Sequence, residues 1–349
     1  MFLALSASSL LAKDPKQIFS DWDKDKDGKL TLEELPRNAR PNFQRVDTNQ
    51  DGSISLAEHE NFLKRPRQPR KTRPLPEGIK PLLNLSYADT DNPRQTLDLF
   101  LPEKRKQGGP LPIIVYIHGG GWKNGRKESG IGKLGPYLKT GSFAAASINY
   151  RLSGEAIWPA QIHDCKAAIR WLKGNAEKYG FDAERMAVWG NSAGGHLVAM
   201  LGVSGEVKAL EGKLGKHMDQ DSRVSCVVDF CGPTHLLSMG KFPSNIDHDA
   251  ANSPESQLIG GALQENKKAA NKASPMTYVT KDDAPTIIVH GTEDPLVPFN
   301  QAKIFHEALT EAGVPNTFLP MKGMGHGLSG PVVDESVRKF LEAHLLGKK

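Results

Sequence analysis

One pentapeptide restricts the fold more than anything else in the chain. Gly190-Asn191-Ser192-Ala193-Gly194 separates a short β-rich run, Arg185–Trp189, from an apolar helical stretch, Ala193–Leu201. A strand that becomes a helix within so few residues leaves no room for side chains flanking the turn. Glycine meets that demand, and the turn lifts the Ser192 hydroxyl above the strand end at a helix N-terminus. Strand followed at once by helix is the repeating unit of a parallel sheet. The surrounding sequence repeats it. Thr96–Leu101, Leu111–Ile117, Ser142–Tyr150, Arg223–Phe230, Thr286–His290 and a short run at Thr317–Met321 read as strands, and Gln161–Lys178, Gln301–Ala312 and Val332–Leu346 as helices. The expected fold class is α/β, a mostly parallel sheet with helices on both faces.

Three further motifs fall at strand ends, where such sheets place their chemistry. His118-Gly119-Gly120-Gly121-Trp122 follows Leu111–Ile117. Its glycines let backbone N–H groups approach a substrate oxygen, so Gly120 and Gly121, together with Ala193, are candidate oxyanion donors. No lysine follows in the spacing of a phosphate-binding loop. His290-Gly291-Thr292-Glu293-Asp294 closes the strand at Thr286–His290, and Gly323-Met324-Gly325-His326-Gly327 follows the last strand. A serine hydroxyl is a poor nucleophile until a base takes its proton. Histidine does this near neutral pH, and a carboxylate fixes its tautomer. Ser192, Asp294 and His326 stand in the chain order of one such architecture. Glu293 is expected to be a solvated neighbour, His118 to support the glycine loop and His196 to pack in the helix after Ser192. His163-Asp164 and Asp247-His248-Asp249 match no common metal spacing. Trp122 and Trp158 are candidates for the acyl or alcohol pocket, Trp158 being equally suited to core packing. Residues 236–275 read as an irregular insertion over the site, a lid or cap.

The HGGGW and GNSAGG motifs, with Tyr150-Arg151-Leu152, Trp158-Pro159-Ala160 and Asp164 between them, make residues 82–346 resemble an α/β-hydrolase fold carboxylesterase, of the hormone-sensitive-lipase-like or feruloyl/acetyl-xylan-esterase-like group. The resemblance implies Ser192 as nucleophile, His326 as base, Asp294 as its orienter, and Gly120, Gly121 and Ala193 as the oxyanion hole. It implies short-acyl or aromatic ester substrates, such as acetyl or feruloyl groups on polysaccharide, and no cofactor for catalysis. Cys231-Gly232-Pro233-Thr234-His235 departs from the pattern, since relatives often carry an aromatic residue and an aspartate there. Two other readings stay beside it. One is a serine peptidase of the same fold, although the chain has no segment for the β-propeller of the large oligopeptidases. The other is a non-catalytic calcium-dependent binding module.

The N-terminal part has a different logic. Residues 23–34 and 47–58 both fit the twelve-residue EF-hand loop. Side-chain oxygens fall at positions 1, 3 and 5 (Asp23, Asp25, Asp27 and Asp47, Asn49, Asp51), glycines at position 6, backbone carbonyls of Lys29 and Ser53 at position 7, and Glu34 and Glu58 at position 12. Calcium is the expected partner, in a structural role, and Leu30 and Ile54 are expected to pair as a β-bridge. Ile18, Phe19 and Trp22, then Phe43 and Val46, supply apolar faces before the two loops. The division expected is an EF-hand pair over residues 13–63, a proline-rich basic linker over 64–80 and a hydrolase domain over 81–349.

Charge supports that division. The formal net charge of +5 splits into −1 for residues 1–65, +4 for 66–80 and +2 for 81–349. Neither folded part is basic enough for a nucleic-acid surface. Three cysteines, Cys165, Cys226 and Cys231, cannot build a disulfide framework. No apolar run is long enough to cross a membrane. The first twelve residues, MFLALSASSLLA, resemble the hydrophobic and cleavage end of a secretory signal without its basic start. A secreted or periplasmic location is the expectation, a cytoplasmic one the alternative. The oligomeric state is not legible.

Overall fold

The structure, a computed structural model, describes residues 14–36, 39–64, 74–106 and 108–347. Contacts divide the chain into two compact units, Met1–Lys71 and Thr72–Lys349. The signal-like run at 1–12 and residues 65–73 of the basic stretch lie outside the described residues.

The larger unit is built on eight strands: β1 (Ile79–Ser86), β2 (Thr96–Pro102), β3 (Leu111–Ile117), β4 (Ala144–Ile148), β5 (Phe181–Asn191), β6 (Cys226–Phe230), β7 (Thr286–Gly291) and β8 (Asn316–Met321). Their order across the sheet is β8-β7-β6-β5-β3-β4-β2-β1. Pairing is parallel from β8 to β4, and antiparallel only where β2 meets β4 and β1. All seven residues of β3 are buried, as a central strand covered on both faces requires. Its side chains alternate between two cores. Ile113, Val115 and Ile117 meet Ile162, Ile169 and Leu172 of helix Ala160–Gly174 and Leu197 and Leu201 of helix Ala193–Val203. Ile114 and Tyr116 meet Leu134 and Leu138 of helix Ile131–Lys139 and Val337, Leu341 and Leu345 of helix Pro331–Leu346. Period-two strands and amphipathic helices thus form one layered α/β-hydrolase-like body. The parallel strands bring residues 118–122, 192, 294 and 326 to one edge, past the ends of β3, β5, β7 and β8.

Several expectations change. Residues 79 and 80, expected to end the linker, belong to β1, an edge strand whose mostly exposed residues hide it from hydropathy. Helix Ile131–Lys139 escapes sequence reading because Gly132, Gly135 and Pro136 lie inside it. The helix expected over 161–178 breaks at Asn175 into Ala160–Gly174 and Ala176–Tyr179. Residues 236–275 are not irregular throughout. They contain helices Pro254–Ile259 and Lys267–Lys272, and Leu236, Met239, Leu258, Leu263, Ala270 and Ala273 are buried in the main core.

In the smaller unit, Asp14 caps helix Pro15–Trp22 by accepting from Lys16 N. Helix Leu56–Lys64 closes the unit. Lys29–Leu30 and Ile54–Ser55 pair antiparallel, with Leu30 opposite Ile54. Phe19, Leu30, Leu35, Val46 and Ile54 form its core. The three cysteines are buried and unbridged.

The turn after β5 is packed backbone against backbone. A Cβ on Gly194 would fall on the Ile117 carbonyl oxygen, whereas Gly154 has nothing within 4 Å. Gly194→Ala is expected to destabilise the larger unit by about 1–3 kcal/mol, and Gly154→Ala to leave it unchanged. Thermal unfolding of the two variants checks the contrast.

Candidate active site

Ser192 sits at the head of helix Ala193–Val203 with φ 56° and ψ −125°. A side-chain-bearing residue holds such a backbone only when its surroundings enforce it. Here Ser192 N donates to Phe230 O of β6 at 2.8 Å, and His196 N donates to Ser192 O at 2.9 Å. The glycine loop lies alongside. A Cβ on Gly119 would stand 2.5 Å from Asn191 O and 3.3 Å from the Ser192 Cβ. Gly120 (φ 117°) and Gly121 (φ 60°) follow in conformations that favour glycine. Ala193 opens the helix, where first-turn amides have no partner inside the helix.

Asp294 lies in the turn after β7, its side chain inaccessible to solvent. Oδ1 accepts from the amides of Leu296 at 2.8 Å and Val297 at 3.0 Å. Oδ2 accepts from His326 Nδ1 at 2.8 Å. Burial opposes the charge on this carboxyl, but hydrogen bonds from His290 and His326 outweigh it and hold Asp294 well below the usual carboxylate range. His326 stands in the loop after β8 with its side chain 22% exposed. Nδ1 is spent on Asp294, so the basic lone pair of the neutral ring is on Nε2. Glu293 points into solvent.

The other histidines near Ser192 are fixed by their partners. His118 Nδ1 meets Gly119 O at 2.8 Å, and burial pushes His118 down to about 4. Burial also pushes His196 down to about 4. His196 Nδ1 accepts from Trp122 Nε1 at 3.1 Å, while Nε2 meets Ala273 O at 2.6 Å. Trp122 is 1% exposed, so it braces the glycine loop from behind and does not wall a pocket. Trp158 is nearly buried and packs edge-on against His196 at 5.5 Å, with only its rim on an open depression beside Arg151, Glu155 and His163. Asp164 receives Arg151 and Gln95, a structural arrangement. His248 pairs with buried Glu255 at 3.1 Å. Sequence reasoning missed His290, whose Nε2 lies 3.2 Å from Asp294 Oδ2. It also missed Cys231, whose Sγ lies within 4.8 Å of the Asp294 and His326 ligand atoms. The four-residue spacing of His290 and Asp294 was the available signal.

Residues 236–275 border the site from two sides. Pro254 Cβ would meet a Cβ on Gly121 at 3.4 Å. Ser244 Oγ donates to Leu296 O at 3.1 Å, and Asn245 N to Pro295 O at 2.7 Å.

The two acidic loops of the smaller unit suit a hard divalent cation. Gly28 (φ 80°) and Gly52 (φ 83°) make the sharp turns. Ligand atoms of Asp23, Asp25 and Glu34 lie within 4.8 Å of one another, and Asp23 Oδ1 is buried without a hydrogen-bond partner among the described residues. Glu34 and Glu58 fold back over their loops to accept from Lys24 N at 3.0 Å and Thr48 N at 2.9 Å. Asp27, Asp47, Asn49 and Asp51 stand at the remaining side-chain oxygen positions of the EF-hand pattern, and Lys29 and Ser53 at its backbone position.

Comparison with known proteins follows the same division. The family described as BD-FAE matches residues 97–309, and the EF hand matches residues 16–37 and 43–63. A solved structure of a truncated carbohydrate esterase from gut microbiota is 33% identical with a TM-score of 0.72, covering 76% of this chain and 96% of that one. A bifunctional GH43-CE protein of Bacteroides eggerthii is also 33% identical with a TM-score of 0.71, covering 76% of this chain and 35% of that one. Esterase LipC of Mycobacterium tuberculosis is 29% identical over 248 residues, 68% of this chain and 58% of LipC. The chain spans about half the length of the curated relatives it matches.

The lowered pKa of Asp294 is a statement about stability. A carboxyl ionising more readily when folded adds stability above its unfolded value, near 3.8, and loses it as pH falls through the lower folded value. Asp294→Asn is therefore expected to be less stable than wild type at pH 7, with the deficit shrinking below pH 4. Unfolding midpoints across that range check it.

Proposed function

The chain belongs to the BD-FAE esterase family, and on that footing we propose that it hydrolyses short-acyl or aromatic carboxylic esters by acyl transfer through Ser192. The carrying observation is the 2.8 Å bond from His326 Nδ1 to the buried Asp294 carboxylate, which orients the ring as a base for a serine on a strained turn. Ser192 Oγ attacks the ester carbonyl carbon and His326 Nε2 takes its proton. The carbonyl π pair moves onto oxygen, where the amides of Gly120, Gly121 and Ala193 receive it. The intermediate collapses, the C–O bond breaks, and His326 returns the proton to the departing alcohol. Water then adds to the acyl-serine by the same route, releasing the acid and restoring Ser192. Asp294 remains ionised and stabilises the imidazolium. Likeness to the carbohydrate esterase from gut microbiota supports acetyl or feruloyl groups on polysaccharide as the acyl source.

The N-terminal pair is read as two calcium sites, one from Asp23, Asp25, Asp27, the Lys29 carbonyl and Glu34, the other from Asp47, Asn49, Asp51, the Ser53 carbonyl and Glu58. Bound calcium would neutralise carboxylates that otherwise repel one another, so its role is to hold that unit folded. The apolar run at residues 1–12 supports export.

Two outcomes are expected. Ser192→Ala loses about 10⁴-fold or more in kcat/KM on p-nitrophenyl acetate and methyl ferulate, and a peptide anilide is untouched by either protein. Unchanged ester turnover in Ser192→Ala would remove the proposal. EGTA lowers the melting midpoint of the smaller unit and leaves kcat unaltered, as calorimetry and initial rates would show. A rate effect without a change in melting would assign calcium a regulatory role instead.

A further inference from the structure

His290 is the histidine the mechanism leaves idle. It is fully buried, and Nε2 faces two acceptors, Asp294 Oδ2 at 3.2 Å and Val297 O at 3.0 Å. Neither can donate, so Nε2 carries a proton. Asp294 Oδ2 is also the oxygen that receives His326 Nδ1. Two ring N–H groups therefore converge on one carboxylate oxygen, one from a buried ring and one from a ring that reaches solvent.

Behind His290 stands a second carboxyl. In the parallel pairing of β6 with β7, Asp229 lies opposite Ile288, so Asp229, Ile288 and His290 share one face of the sheet. Asp229 is fully buried. Its Oδ1 accepts from Gly232 N at 2.9 Å, and a Cβ on Gly195 would come within 2.5 Å of that oxygen. The carboxyl therefore lies beneath the helix that begins at Ser192. Asp229 Oδ2 and His290 Nδ1 are both buried without a hydrogen-bond partner among the described residues. Burial pushes the Asp229 carboxyl up to about 6, and His290 and the Gly232 amide pull it back. Around these groups, β6 contributes Asp229, the residue just past it Cys231, the turn after β7 Asp294, and the loop after β8 His326. Phe299, just before helix Asn300–Glu311, sets its uncharged ring edge-on 5.7 Å from the His290 ring.

We propose that His290 is a positioning residue: its Nε2–H holds the Asp294 carboxylate in place and partly satisfies the oxygen that His326 uses, which limits how strongly Asp294 draws the proton onto His326, while Asp229 tunes His290 from behind. The inference rests on reading His326 as the base of ester hydrolysis and Asp294 as the carboxylate that orients it. Without the His290 donor, Asp294 becomes a more basic partner and stabilises the His326 cation further. The neutral base then exists only at higher pH, so the acid limb of the rate profile moves up.

The test titrates His326 by nitrogen-15 histidine NMR in a Ser192→Ala background, where no turnover is needed, and follows kcat/KM on p-nitrophenyl acetate against pH in the intact enzyme. His290→Phe, which keeps a planar ring and removes the donor, is expected to raise the His326 pKa by about half to one unit and move the acid limb with it. kcat falls while KM stays. His290→Gln, which offers an N–H at similar reach, restores the wild-type profile. Asp229→Asn shifts His326 in the same direction by less, and that shift disappears in the His290→Gln background. Should His290→Phe not fold, the isosteric Asp229→Asn series decides. A folded His290→Phe with an unmoved His326, or an Asp229→Asn shift that persists with Gln at 290, overturns the proposal. Ordinary ester turnover with no shifts sinks this inference alone. The expected shifts in a protein that turns over no ester sink the esterase reading alone.

Discussion

The catalytic edge depends on main chain packed against main chain. Past β5 the chain reverses into a helix so tightly that Gly190 and Gly194 lie against each other, and Gly194 also lies against the end of β3. Ser192 is held in a left-handed backbone as a result, tied by its amide to β6. The same closeness brings the glycine loop beside the serine, because Gly119 meets Asn191 directly. A methyl group at any of these positions separates elements whose spacing the chemistry requires.

The second constraint is a buried charge. Asp294 is removed from water, which alone would disfavour its ionised form, yet it accepts two backbone amides and two histidine N–H groups. A carboxylate so supplied remains charged. The turn that follows β7 is shaped by this requirement: Asp294, Leu296 and Val297 wrap so that the chain's own amides face one oxygen and leave the other to the rings. Residues 236–275 then brace the turn from outside through Ser244 and Asn245.

Much of this was legible because chemistry at the end of a parallel strand carries local punctuation. Ser192, Asp294 and His326 each follow a β-rich run and sit among glycines or a turn, and the EF-hand ligands keep a fixed spacing within twelve residues. What escaped lacked that kind of signal. Helix Ile131–Lys139 carries two glycines and a proline, which read as a loop, although its leucines and Tyr137 pack on the sheet. Strand β1 is an edge strand with most residues exposed, so it shows no alternation. Residues 236–275 are poor in long periodic stretches but rich in side chains that enter the core singly. An aromatic residue after three glycines looks the same whether it faces a pocket or the interior, and only the His196 contact places Trp122 in the interior. His290 was passed over because its four-residue spacing to Asp294 falls across a strand end and a turn, where that spacing does not by itself imply contact.

Trp122, His196 and the Ala273 carbonyl form a line in which every hydrogen bond points the same way. Indole nitrogen can only donate and a carbonyl can only accept, so the imidazole between them has a single tautomer and no vacancy for an incoming proton. The line conducts nothing. It is an insulator laid behind the glycine loop, whereas Asp294 gathers the N–H groups of His290 and His326 on one oxygen. Two kinds of polarity are thereby kept apart: one fixed in direction behind the glycine loop, and one gathered on the buried Asp294 carboxylate. On the proposed mechanism, a proton leaving Ser192 finds His326 able to take it, while His196 is already committed on both nitrogens.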